Sequence, residues 1–172
     1  MINKVNSTQL KIFNCLRDNQ YISGAEIGKK LNISRTAVSK NIKILNDKYQ
    51  LEILSSTRKG YFLQEKIDLL DISSVKEKFE NVEYFYTIDS TSNYAIKHQN
   101  IFSKNSILLA EHQTNGYGRF NREWVSPFGK NIYCTILEYI SFDISKLPGL
   151  SLVIPLSIAR VLKSLGFETK LK

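Results

Sequence analysis

Between residues 8 and 48 apolar side chains return three times at helical spacing, in short runs set off by capping residues, and two strand-length runs follow at once. This pattern constrains the fold more than any bulk property of the chain. Thr8–Asn19 places Leu10, Ile12, Phe13 and Leu16 close to one helical face. Ser23 can cap a second helix over Gly24–Leu31, with Glu26 three residues on as its capping-box partner. Asn32-Ile33-Ser34 makes a tight turn, and Ser34 caps a third helix over Arg35–Lys48 with an apolar stripe of Ala37, Val38, Ile42 and Leu45. Leu51–Ser55 and Gly60–Leu63 then read as strands joined by Ser56-Thr57-Arg58-Lys59. Three helices and a basic β-hairpin predict a winged helix-turn-helix over residues 1–65.

Charge gives that unit a partner. The 172-residue chain carries 24 basic and 16 acidic residues, net +8. Residues 1–70 hold twelve of the basic and six of the acidic ones, so +6 lies there and +2 in the remainder. Such asymmetry points to nucleic acid or another anionic surface, although a solvated basic face would look the same. The third helix shows Ser34, Arg35, Thr36, Ser39, Lys40 and Lys43 on its polar side. Small polar groups and Arg at the first turn suit base edges in a major groove, and Lys40, Lys43, Arg58 and Lys59 suit phosphates. A winged helix used only for protein contacts is the alternative.

Gln64–Ser74 alternates polar and apolar residues, and the pattern changes after it, so residues 66–80 are expected to link two domains. From 81 to 172, strand-like Val82–Ile88, Ser106–Ala110 and Asn131–Tyr139 alternate with helical Ser90–Gln99 and Leu150–Leu165, and Phe167–Lys172 starts a further strand. The expected class is α+β, a winged helix followed by a mixed-sheet α/β domain. The longest apolar run, Leu147–Leu156, is interrupted by Pro155 and polar residues, so no membrane span is expected. The N-terminus lacks the apolar region of a secretory signal. Cys15 and Cys134 lie apart among apolar neighbours and read as buried free thiols of a cytoplasmic protein. His98 and His112 are isolated, so no metal site is expected.

Gly116-Tyr117-Gly118-Arg119-Phe120-Asn121-Arg122-Glu123-Trp124 follows a strand and opens no helix, which excludes a Walker loop and a dinucleotide fingerprint. Its glycines allow close backbone approach to a ligand, and Arg119 and Arg122 offer planar donors to carboxylate or phosphate. Alone, the segment could equally be a surface loop with solvated arginines.

Together these segments carry a resemblance. The winged helix, then Asp89-Ser90-Thr91-Ser92-Asn93, then Ala110-Glu111-His112-Gln113-Thr114-Asn115-Gly116-Tyr117-Gly118-Arg119, then Trp124-Val125-Ser126-Pro127-Phe128-Gly129-Lys130-Asn131-Ile132-Tyr133 stand in the order found in bifunctional biotin–protein ligases that also repress the biotin operon. The resemblance spans nearly the whole chain, and implies the biotin/lipoate-ligase, class II synthetase-like fold for residues 81–172. It implies that biotin's carboxylate attacks the α-phosphate of ATP, supplied with Mg2+, to form biotinyl-adenylate, and that a lysine of a biotin carboxyl carrier protein then takes the biotin. Operator DNA and a homodimer loaded with biotinyl-adenylate are further implied partners. Carried over by position, Ser90, Thr91 and Ser92 would line the biotin head-group pocket and Gln113 would hydrogen-bond the ligand. Gly116 and Arg122 would bind biotin or its adenylate and Tyr117-Gly118-Arg119 would fold over the adenylate, with Arg119 as the catalytic cation, while Trp124 would pack the loop against the sheet.

Two residues depart from the family pattern, Tyr117 where Arg is usual and Asn121 where Gly is usual. Family members also continue through a Lys-Trp-Pro-Asn-Asp segment, of which Lys172 matches only the first residue, to a lysine that contacts biotin and phosphate and to a C-terminal β domain. The expectation is therefore a chain that ends inside its catalytic domain and does not biotinylate a carrier by itself. A winged-helix regulator whose second half only senses a small ligand is the alternative function, and a ligase whose winged helix binds no DNA is a third.

Overall fold

The computed structural model describes residues 7–118, 120, 122–141, 143, 145 and 147–170. Two units divide the chain, Met1–Glu138 and Tyr139–Lys172. In the first, helices α1 (Ser7–Leu16), α2 (Gly24–Leu31) and α3 (Arg35–Tyr49) precede a hairpin of β1 (Ile53–Ser56) and β2 (Gly60–Leu63). The capping residues act as their chemistry requires. Ser23 Oγ accepts from Glu26 N and Ser34 Oγ from Ala37 N, each at 3.1 Å. Asn32 and Gln50 close α2 and α3 in the left-handed region, at φ 53° and 56°. The apolar stripes converge, and Ile12, Phe13, Leu16, Ile27, Val38, Ile42 and Leu45 are buried together.

One contact in the wing has no sequence signal. Ile22 pairs with Tyr61 through both backbone bonds, 3.0 Å and 2.8 Å, adding a one-residue third strand. Gly60 permits it. Its φ is 96°, and a Cβ there would stand 2.3 Å from the carbonyl oxygen of Ile22.

Helix α4 (Ile72–Lys78) forms inside the segment expected to be a linker, with Asp71 accepting from Ser74 N. The sheet follows as β3 (Val82–Phe85), α5 (Thr91–Lys97), β4 (Ser106–Ala110) and β5 (Tyr133–Leu137). β3 runs parallel to β4, and β4 antiparallel to β5, so the sheet is mixed. β4 sits between the other two and is buried along its whole length, as its unbroken apolar run requires. β3 stops at Phe85, short of the expected Ile88, because the chain leaves the ladder and rejoins it only at an isolated Ile88–Gln113 bridge.

Just past the end of β4, Glu111 is buried and ties three segments. Its carboxylate accepts from Tyr84 Oη at 2.6 Å and from Leu70 N at 2.9 Å, and its carbonyl accepts from Gly129 N at 2.8 Å. The segment so fixed carries Phe128, which belongs to the winged-helix core: its ring meets Phe13 and Tyr49 edge-on, with centroids 5.5 Å and 5.7 Å away.

The second unit contains α6 (Leu147–Ser164), which begins before the expected Leu150 and runs through Pro155. It is long and apolar enough, by length and composition alone, to cross a membrane, although Pro155 and polar residues interrupt its apolar run in the sequence. Neither Pro155 nor the serines interrupt the helix itself. Proline removes one donor, and Ser151, Ser157 and Ser164 turn their hydroxyls onto Pro148 O, Val153 O and Val161 O. Residues 167–170 form no strand, contrary to expectation, because Gly166 ends the helix at φ 89° and Phe167 N bonds back to Leu162 O at 3.0 Å. Leu171 and Lys172 lie outside the described residues.

Candidate functional site

Every residue assigned to nucleic acid is exposed: Ser34, Arg35, Thr36, Ser39, Lys40 and Lys43 along the start of α3, Arg58 and Lys59 at the wing tip. Among the described residues none of these five cations is held in an ion pair, so their charge is available to an anionic partner. Lys59 Nζ lies 5.4 Å from the centre of the Tyr21 ring, which stacks on Phe62 at 5.0 Å, so an aromatic platform supports the wing cation. The Ser34 hydroxyl already caps α3, leaving its lone pairs only partly free for DNA.

The second site is built at the carboxyl ends of β3 and β4. These strands are parallel, so the turn after each emerges at one end of the sheet, the usual place for a ligand in such sheets. After β3 the chain enters α5 with Ser90 as N-cap, and after β4 it reaches Gln113. The two turns are stitched by Ile88 N to His112 O (3.1 Å), Thr114 N to Ile88 O (2.9 Å) and Asn115 N to Asp89 O (2.9 Å). A cavity of about 380 Å³ opens there. Ser90, Thr91, Ser92, Gln113, Tyr117 and Gly118 all line it, so six assigned residues meet in one place.

Its polar groups satisfy one another. Gln113 Oε1 accepts from Thr91 N at 2.9 Å and Thr91 Oγ1 at 3.2 Å, and Thr135 Oγ1 donates to Thr91 Oγ1 at 2.9 Å. Gln113 Nε2 donates to Ser126 Oγ at 3.4 Å. The wall of the cavity therefore carries both donors and acceptors, as a polar ring would require.

The glycine loop forms a small hairpin beside this cavity. Gly118 N donates to Arg122 O at 2.8 Å and Trp124 N to Gly116 O at 3.0 Å, with Tyr117 bridging Glu123. Gly116 is required at the base, since a Cβ would stand 2.6 Å from Ser126 Oγ and 2.9 Å from Trp124 O. Gly116 itself lines a neighbouring cavity of about 310 Å³, and Arg122 lines neither. Arg119, the catalytic candidate, and Asn121 lie outside the described residues.

Trp124 does not pack the loop against the sheet as expected. It is 61% exposed and borders both cavities. Tyr133, Cys134 and Thr135 of β5 also border the first, and Asn93 reaches the loop through Tyr117; residue type alone gave no sign of these. Cys134 is exposed and Cys15 half-buried, contrary to the expectation of two buried thiols, because β5 turns Cys134 outward. Desolvation nevertheless pushes both thiols up. His112, on the second cavity, is 7% exposed, and its Nδ1 has no hydrogen-bond partner. Burial, with Lys48 nearby, pulls its pKa down to about 4, so the ring is neutral at pH 7.

Each half of the chain matches a known protein family. A helix-turn-helix domain family matches residues 8–62, and the biotin/lipoate A/B protein ligase family matches residues 84–171. The bifunctional ligase/repressor BirA of Salmonella typhimurium is 34% identical over 167 residues, 96% of this chain and 52% of that protein. The Escherichia coli protein of the same name is 33% identical over the same shares, and that of Bacillus subtilis 28% identical over 90% of this chain and 50% of its own length. The chain spans about half the length of the curated relatives it matches. A crystal structure of biotin protein ligase from Leishmania major in complex with biotin is 29% identical, with a TM-score of 0.44, and covers 48% of this chain and 34% of that one. The ligase match includes both strand ends, the cavity and the glycine hairpin, and on that match the chain belongs to the biotin/lipoate A/B protein ligase family.

Proposed function

We propose that the chain carries the DNA-binding domain and the biotin-binding face of a biotin–protein ligase that also represses transcription. The observation that supports this most is the meeting of Ser90, Thr91, Ser92 and Gln113 in one cavity bordered on one side by a glycine hairpin. Biotin's ureido ring offers donors and acceptors on a compact, largely apolar frame, and the cavity carries both on its wall. In the reaction, the biotin carboxylate attacks the α-phosphorus of ATP and pyrophosphate leaves. The ε-amine of a carrier-protein lysine then attacks the acyl carbon of the adenylate, and AMP leaves. Mg2+ accompanies ATP. Arg119 neutralises phosphate charge and holds the adenylate, while Tyr117 and Gly118 cover it against water.

On the other side, α3 enters the major groove of a palindromic operator, the wing cations meet flanking phosphates, and two copies loaded with biotinyl-adenylate read the two half-sites. Calorimetric titration of this chain with biotin and with biotinyl-adenylate tests the ligand reading. Binding that weakens tenfold or more in Gln113→Ala is expected, and no heat with either ligand refutes it. Operator binding should fall with rising salt and weaken in Arg35→Ala/Lys40→Ala. Unchanged operator binding in that variant refutes the assignment of the recognition helix.

A further inference from the structure

We infer that Tyr117 is a positioning residue that ties the base of the glycine hairpin to the start of α5, beside the cavity, through a run of neutral hydrogen bonds that begins and ends on Asn93. Asn93 N donates to Ser90 Oγ at 3.4 Å, and the hydroxyls of Ser90 and Ser92 are 3.0 Å apart. Ser92 Oγ donates to Tyr117 Oη at 3.3 Å, and Tyr117 Oη donates to Asn93 Oδ1 at 3.0 Å. Because Ser92 gives its single proton to Tyr117, Ser90 must give its own to Ser92. The direction is then fixed: Asn93 to Ser90 to Ser92 to Tyr117 and back to Asn93. Each hydroxyl both donates and accepts, the arrangement in which neighbouring bonds polarise and strengthen one another.

The run joins α5 to the hairpin at the residue between its two glycines, before any ligand is present. A cation in this place could not complete it. Arginine and lysine donate but have no lone pair to accept from Ser92, so only a hydroxyl or similar two-way group completes the run. The departure from the family's usual arginine thus exchanges a charge-dependent contact for a charge-independent one.

This inference rests on the proposed function only for the identity of the ligand. Its test reads the ligand-free chain. Trp124 is the sole tryptophan of the sequence and stands on the hairpin, so acrylamide quenching of its fluorescence reports hairpin opening. Hydrogen exchange at the Gly118 and Trp124 amides, which bond across the hairpin, reports the same event residue by residue. Tyr117→Phe should speed exchange of those two amides about three- to tenfold and raise quenching, with Leu108 of β4 unchanged. Asn93→Ala should do the same, and the double variant should exceed neither single by more than a factor of two, since all three break one run of bonds. Wild-type protection should stay constant from 0.05 to 0.5 M salt, roughly the range over which a charged contact weakens.

With a fluorescent biotin conjugate as probe, Tyr117→Phe should raise the dissociation rate by a similar factor. Unchanged exchange in Tyr117→Phe, or fully additive effects of the two substitutions, overturns the tie. Failure of the wild-type chain to bind the probe, with the exchange results as expected, overturns the biotin reading and upholds the tie.

Discussion

Phe128 lies in the sequence string that marks the ligase half, yet its ring is 3% exposed within the winged-helix core, edge-on to Phe13 and Tyr49. Truncating it should therefore damage the whole first unit. Phe→Ala at a buried site costs roughly 3–5 kcal/mol from lost transfer energy and the remaining cavity. Two edge-on aromatic partners, each worth about 0.5–1.5 kcal/mol, place Phe128→Ala near the upper part of that range, about 4 kcal/mol. The backbone leaves little room for collapse. Gly129 follows at φ 64°, where an added Cβ would stand 2.4 Å from Ile67, and its N–H is fixed to Glu111 O. At about 2–4 °C per kcal/mol for a chain of this size, the melting temperature should fall by about 8–16 °C.

Urea unfolding measures the loss. Far-UV circular dichroism follows mainly the helices, and Trp124 fluorescence follows the glycine hairpin beside the cavity. Both transitions should shift together, because one ring joins the two regions. A milder cycle, Phe13→Leu and Phe128→Leu singly and combined, should show a coupling of about 1 kcal/mol. A cost below about 1.5 kcal/mol for Phe128→Ala, or strict additivity in the cycle, would show that the ring does not sit in this core.

Two other substitutions probe features on either side of that junction. His112 has a pKa lowered from 6.5 to about 4 in the folded chain, so the unfolded chain binds the proton more tightly and stability falls as pH drops from 6.5 towards 4. The loss between pH 7 and pH 4.5 should be about 2–3 kcal/mol, and His112→Asn should flatten the urea-midpoint profile over that window; an unaltered profile would assign the pH dependence elsewhere. Gly60→Ala forces a side chain into the left-handed region and against the Ile22 carbonyl, so it should cost about 2 kcal/mol or more and disrupt the Ile22–Tyr61 pair, with a melting temperature equal to wild type as the refuting result.

What was legible in the sequence follows the range of the forces involved. The winged helix is written in local terms, since Ser23 and Ser34 need only a residue three positions on, and the stripes of α1 to α3 need only their own periodicity. β4 is equally plain, because a strand buried on both faces has no polar alternation to hide it. The cavity was legible only through the resemblance. Adjacent Ser90 and Thr91 lie 23 and 22 residues before Gln113 and meet it because β3 and β4 are parallel, which no local pattern encodes. Trp124 was misplaced for a related reason. Its size suggested packing, but the backbone bond to Gly116 turns that side of the hairpin outward, where the ring borders two cavities. Pro155 and the serines break the apolar run in composition only: the helical reading of Leu150–Leu165 already passes through Pro155, and the helix does so too, starting three residues earlier.

Glu111 shows why the ligase string and the winged helix need not be separable in space even though their signals are separable in sequence. A carboxylate this buried persists only with donors arranged around it, and those donors come from β3, through Tyr84, and from the segment before α4, through Leu70. Tyr84, pushed up by burial and by this carboxylate, keeps its proton and remains a donor throughout the working range of pH. The backbone of Glu111 donates to Phe85 O on one side and accepts from Gly129 N on the other. From Glu111 the chain therefore runs in two directions under constraint: onward through Gln113 to the cavity wall, and across Gly129 to the ring of Phe128 in the winged-helix core. The cavity and helices α1 to α3 consequently rest on one buried anchor, and Glu111, Gly129 and Phe128 hold them in register.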